Sequence, residues 1–150
     1  MKTYDIVIVG SGTAGQTAAY YLNEKGLKIA IVEQSDRPGG TCALAGCQAK
    51  KWLYEAAETI ARSRHLEGKG IAAAAEGNWE QVIAQKRQFT TPIPESTIRG
   101  LEKSGIEFLK GTAGFVNDDT LSVNGETISG KYVILATGAR PMTLPIEGMS

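Results

Sequence analysis

Ile6-Val7-Ile8-Val9-Gly10-Ser11-Gly12-Thr13-Ala14-Gly15 decides the fold, together with what flanks it. Ile6 to Val9 is a continuous β-branched run, the pattern of a parallel strand buried on both faces. Beyond the glycine turn, Ala14, Ala18, Ala19 and Leu22 recur at helical spacing, and Gly26 stops the helix. Leu27 to Val32 is a second β-branched strand, ending in Glu33. Strand, glycine turn, helix and strand form one unit of an α/β fold built on a parallel sheet.

Each part of that unit suits a dinucleotide. Gly10 permits a tight turn, Gly12 lets backbone approach a pyrophosphate, and Gly15 lets the helix pack closely on the strand. Ser11 and Ala14 complete the candidate cradle, at a helix N-terminus whose unpaired N–H groups attract phosphate. Glu33 suits the two hydroxyls of an adenosine ribose and repels a 2′-phosphate. The signature alone leaves FAD and NAD both open.

Length and charge narrow the class. The 150 residues suit one domain with its own core. Sixteen basic residues balance sixteen acidic ones, so nothing indicates a nucleic-acid or membrane partner. The run behind Met1-Lys2-Thr3-Tyr4-Asp5 is too short for a signal or membrane span, so a soluble, cytoplasmic protein is expected. Thiols stay reduced in that compartment unless they are catalytic.

The two cysteines lie in Gly39-Gly40-Thr41-Cys42-Ala43-Leu44-Ala45-Gly46-Cys47-Gln48-Ala49-Lys50-Lys51. Leu53, Ala56, Ala57 and Ile60 follow at helical spacing, predicting that both cysteines occupy the first turns of one helix reaching about Arg64. Five residues of ideal helix rise about 7.5 Å, whereas a disulfide rarely spans Cα atoms more than about 7 Å apart. A Cys42–Cys47 bond therefore requires a distorted turn, and Gly46 is best able to absorb it. Strained disulfides are readily reduced, and a helix N-terminus favours the Cys42 thiolate. Buried free thiols and a structural cross-link are the rival readings. A zinc site falls short of ligands, with only His65 to add.

Gly39-Gly40-Thr41-Cys42-x-x-x-Gly46-Cys47 resembles the active-site stretch of the pyridine nucleotide–disulfide oxidoreductases, which include glutathione reductase, dihydrolipoamide dehydrogenase and mercuric reductase. The resemblance implies FAD at Gly10 to Gly15, with Gly40 and Thr41 also contacting it. It implies that Cys47 lies against the flavin and Cys42 attacks the substrate. Lys50 or Lys51 would lie near the flavin. Leu44 stands where the family often has asparagine, and Ala49 where proline is usual. These departures leave the Cys-x4-Cys core intact.

The back half reads as a loop over Gly68 to Gly77, a helix around Trp79 to Lys86, and a short helix over Glu95 to Ser104. Strands are predicted at Ile106–Leu109, Ala113–Val116, Leu121–Val123 and Glu126–Ile128, with a hairpin at Asn124-Gly125, then a parallel strand at Tyr132–Ala136. An antiparallel meander inserted before a strand ending in Ala-Thr-Gly also resembles that family. The resemblance implies that Ala113 contacts adenine and that Thr137 and Gly138 approach the FAD. His65 reads as a surface residue.

The expected protein is thus the FAD-binding domain, residues 1–150, of an enzyme that passes electrons from NAD(P)H through flavin to Cys42–Cys47 and on to a small-molecule disulfide. The resemblance implies that the NAD(P)H and dimerisation domains lie elsewhere, with Pro145 to Ser150 beginning a linker, so the chain reads as a fragment of a homodimer. A non-catalytic dinucleotide-binding fragment, and a flavoprotein reducing a metal ion or quinone, are the alternatives.

Overall fold

In the computed structural model, which describes residues 1–140 and 142–148, the glycine turn sits at the carboxyl edge of a six-stranded sheet. The end of the expected linker, residues 149–150, lies outside the described residues. Strand β1 (Lys2–Val9) leads into helix α1 (Thr13–Asn23), then β2 (Ile29–Glu33). Helices α2 (Gly40–Leu44), α3 (Cys47–Leu66), α4 (Trp79–Thr90) and α5 (Ile93–Lys103) follow. Strands β3 (Glu107–Lys110), β4 (Ala113–Phe115), β5 (Thr120–Val123) and β6 (Glu126–Leu135) come next. The strand order is β3-β2-β1-β6-β5-β4.

The β-branched runs explain the centre of that order. From Ile6 to Ile8 and through β2, alternate residues enter two separate cores. Ile6, Ile8, Ile29 and Ile31 pack with Ala19 of α1, Leu101 of α5 and Ile106. Val7, Ala30 and Val32 pack on the other face with Tyr4, Leu121, Val123 and Ile128. Ile8 and Ile31 are wholly buried, each contributing about 1.5–3 kcal/mol by burial.

Two strand readings change. Strand β3 pairs parallel with β2, through Ala30↔Glu107 and Val32↔Leu109, and so lies outside the meander. The two strands expected at Glu126–Ile128 and Tyr132–Ala136 are one ten-residue strand. Its first half pairs antiparallel with β5, while it also runs parallel to β1 through Lys2↔Ile128 to Val9↔Leu135. Ser129-Gly130-Lys131 resembles a break, but Gly130 serves close packing: a Cβ there would lie 2.9 Å from Val7 Cγ2.

The cysteine helix is also different from its expected form. It is two helices, broken at Ala45 and Gly46, and the second extends to Leu66. The amides of Ala45 and Gly46 both donate to the Thr41 carbonyl, closing the first helix before the second begins. A Cβ on Gly46 would lie 3.0 Å from that same oxygen. The distortion falls where the bare glycine permits it.

Candidate functional site

The site begins with backbone that no side chain separates. Gly10 has a φ of 110°, and a Cβ there would lie 2.2 Å from the Ala136 carbonyl oxygen, just past the end of β6. A Cβ on Gly15 would lie 2.0 Å from the Gly10 carbonyl oxygen, so α1 packs against the turn that starts it. Gly40, with φ of 76°, brings the cysteine-bearing segment onto the turn. Among the described residues no side chain caps α1 at Gly12, leaving its first N–H groups facing the space beside the turn.

That space is a cavity of about 710 Å³, within the range of small-molecule and cofactor sites. The turn contributes Gly10, Ser11, Gly12, Thr13 and Ala14 to its walls, and the second strand contributes Glu33. Gly40 and Thr41 enter from α2, and Thr137 and Gly138 from the segment after β6. These parts, distant in sequence, meet at the carboxyl ends of adjacent parallel strands, where α/β sheets bind ligands. Uncapped amides for phosphate, an acid for ribose and a glycine-lined floor fit the dinucleotide that the family resemblance implies.

The other sequence-derived candidates lie outside the cavity wall. Gly15 is buried behind the turn. Ala113 pairs with Val123 and packs against the core on the meander side. Cys42 follows the cavity's Thr41 in the chain and Cys47 comes two residues after its Ala45, whereas Lys50 and Lys51 lie further along α3. His65 is exposed in the last turn of α3. Sequence reasoning passed over Thr13, Arg37 and Gly111, which also line the cavity. Arg37 had a readable signal: it sits in the polar loop immediately after the strand-ending acid.

Glu33 is already heavily engaged. Its Oε2 accepts from the Ser11 amide at 2.9 Å and the Ser11 hydroxyl at 2.6 Å, and its Oε1 accepts from the Ser35 amide at 2.8 Å. Partial burial works to raise its pKa, but these donors and the Lys110 charge outweigh it and hold the carboxyl below its ordinary value. A carboxylate offers about four acceptor positions, so one remains for an incoming hydroxyl. Direct acceptance from both ribose hydroxyls would require displacing Ser11.

The cysteines are free and adjacent, Cys42 half-buried and Cys47 exposed as the first residue of α3. The neighbouring Cys47 thiol holds Cys42 below the usual thiol value, helped by the Thr13 hydroxyl and the Lys51 charge. Cys42 in turn raises Cys47, with Lys50 acting against the rise. The two thiols are therefore unequal, Cys42 being the more readily ionised and the better nucleophile for exchange.

Comparison with known proteins agrees with this geometry. The family described as pyridine nucleotide-disulphide oxidoreductase matches residues 4–150. A mercuric reductase of Staphylococcus aureus is 35% identical over 150 residues, covering 98% of this chain and 27% of its own length. A dihydrolipoyl dehydrogenase of Thermus scotoductus is 35% identical over 148 residues, covering 99% of this chain and 32% of its own. Among solved structures, the HOCl-induced flavoprotein disulfide reductase RclA from Escherichia coli superposes with a TM-score of 0.76 at 28% identity. That match covers 95% of this chain and 30% of RclA. The chain therefore spans about a third of the length of the relatives it matches. No helix among the described residues is long and apolar enough to cross a membrane. The chain belongs to the pyridine nucleotide-disulphide oxidoreductase family.

Proposed function

We propose that this chain, as one FAD-binding domain over residues 1–150, is the thiol-bearing part of an NAD(P)H-dependent enzyme that reduces small-molecule disulfides. The observation that carries the reading is the direct seating of Gly40 on Gly12, two residues before Cys42, which puts a dithiol at the edge of the glycine cradle. Gly10, Gly12 and the amides at Ala14 would hold the pyrophosphate. Glu33 would hold the ribose, Ala113 would approach the adenine, and Thr41, Thr137 and Gly138 would close on the cofactor. Lys50 and Lys51 would lie on the flavin side of the cysteines. When bound, FAD would supply two-electron exchange between the dithiol and a nicotinamide held by another part of the whole protein.

The chain's own share of the reaction is thiol exchange. The Cys42 thiolate would attack one sulfur of the substrate disulfide, breaking its S–S bond and releasing one substrate thiolate. Cys47 would then give up its proton and attack Cys42, closing Cys42–Cys47 and releasing the second substrate thiolate. The Cys47 proton and one proton from solvent complete the two product thiols. A cytoplasmic homodimer is the assembly that belongs to this reading.

A metal ion is the second reading for the substrate. It rests on the mercuric reductase named above and on RclA, which has also been solved as a Cu(II) complex (TM-score 0.77, 27% identity). Titrating the purified chain with FAD and following flavin fluorescence tests the shared part of both readings. Saturable binding near one equivalent supports them, and no binding would refute them. Turnover of the whole protein with a panel of disulfides and metal ions separates the two.

A further inference from the structure

Ser11 borders the cavity, but its hydroxyl is committed to partners inside the fold. Ser11 is wholly buried. Its hydroxyl donates to Glu33 Oε2 at 2.6 Å and accepts from the Gly39 amide at 3.2 Å. Gly39 is buried at the head of α2, with φ of 120°, and is followed by Gly40 at φ of 76°. Two successive left-handed glycines carry no side chain of their own to fix this hinge, so its placement depends on the contacts made to it. The Ser11 hydroxyl ties the start of that hinge to the body of the fold, and Cys42 lies three residues beyond Gly39.

We propose that Ser11 is a positioning residue for the cysteine pair, its buried hydroxyl linking the ribose-reading Glu33 carboxylate to the turn that places Cys42. This deepens the nucleotide and dithiol reading above and rests on it. The link works in both directions. Without the hydroxyl, the Gly39-Gly40 hinge loses its tether and the two sulfurs spend less time close together. One ribose hydroxyl fits the open position on Glu33 Oε1, but the second must take Oε2 from Ser11, so adenosine binding through both hydroxyls slackens the tether as well. By linkage, the redox state of the cysteines then alters adenosine affinity by the same factor.

The test uses the flavin-free chain in glutathione buffers. There one S–S bond forms at Cys42–Cys47 as one breaks in glutathione disulfide, and the two cysteine protons pass to two glutathione thiols. The bonded fraction gives the equilibrium constant. Ser11→Ala should lower that constant about three- to tenfold, the scale of one hydrogen bond. Ser63→Ala is the control, because the Ser63 hydroxyl also donates one hydrogen bond and accepts another, to the Ile60 carbonyl and from the Ala75 amide, far from the cysteines in the chain. It should leave the constant unchanged.

ADP is the probe for the other end, carrying adenosine and pyrophosphate without a flavin to touch the thiols. Saturating ADP should lower the constant in the unaltered chain and have no effect in Ser11→Ala. If Ser11→Ala fails to fold, Glu33→Gln weakens the same tether from its other end and should shift the constant in the same direction. An unchanged constant in the altered chain, or an ADP effect equal with and without the Ser11 hydroxyl, would overturn the proposal. ADP that fails to bind by calorimetry would instead overturn the nucleotide reading, and the adenosine end of the tether with it.

Discussion

A Cβ built on Gly40 would lie 2.4 Å from the Cα of Gly12, whereas one built on Gly12 would lie 3.7 Å from the Cα of Gly40. The contact joining the two halves of the site is therefore asymmetric. Gly40 must be bare for the fold, with its φ of 76° as a second constraint. Gly12 has room on that side and also lines the cavity.

The two substitutions should consequently separate stability from binding. Gly40→Ala should destabilise the chain by about 2–4 kcal/mol, combining backbone strain with overpacking. Gly12→Ala should change stability by less than about 1 kcal/mol yet weaken FAD binding at least about tenfold, the scale of one obstructed phosphate contact. Denaturant melts and flavin titration on both variants decide the matter.

Thiol reactivity should be split in pH. Cys42 has its pKa lowered from 9.0 and Cys47 has its own raised, because each thiol responds to the other. Alkylation mapped by mass spectrometry should show Cys42 reacting first as pH rises, with a midpoint below 9.0. Cys47→Ala removes the donor and should move the Cys42 midpoint up. Cys47→Ser keeps a hydroxyl donor and should move it less.

Acid should act through Glu33. Its folded pKa lies below the ordinary carboxylate value of 4.5, so its contribution to stability is fully present above the unfolded value. That contribution fades as pH falls through the folded pKa. Glu33→Gln should therefore lower stability near neutral pH and flatten the decline on the acid side. Parallel acid limbs in the two proteins would contradict the hydrogen bonds assigned to this carboxylate.

The break between the cysteine helices should also be sensitive. A Cβ on Gly46 falls 3.0 Å from the Thr41 carbonyl oxygen, which holds both the Ala45 and Gly46 amides. Gly46→Ala should push that carbonyl aside and slow closure of the Cys42–Cys47 disulfide. Stopped-flow oxidation of the reduced chain measures the rate.

The parts of this architecture visible in sequence are those carried by local pattern. Ile6–Val9, the turn from Gly10 to Gly15 and Glu33 repeat hydrophobic and glycine spacings that depend only on neighbouring residues. Glycines whose role is to admit a distant partner were harder to read. Gly130 resembles a strand break until Val7 is seen beside it, and Gly40 reads only as a cofactor contact until Gly12 is seen beneath it. Gly46 was identifiable as the point of distortion because the cysteine spacing demanded one nearby. The Ser11–Gly39 hydrogen bond joins residues 28 apart and carries no local signature.

The most direct test of the account combines the cofactor with the two cysteines. The chain is loaded with FAD, treated with dithiothreitol to reduce the cysteines while the flavin stays oxidised, and scanned for a long-wavelength thiolate–flavin absorption band. With Cys47 on the flavin side, the band should persist in Cys42→Ser and vanish in Cys47→Ser. The same band in both variants, or its absence from both, would contradict the roles proposed for the pair.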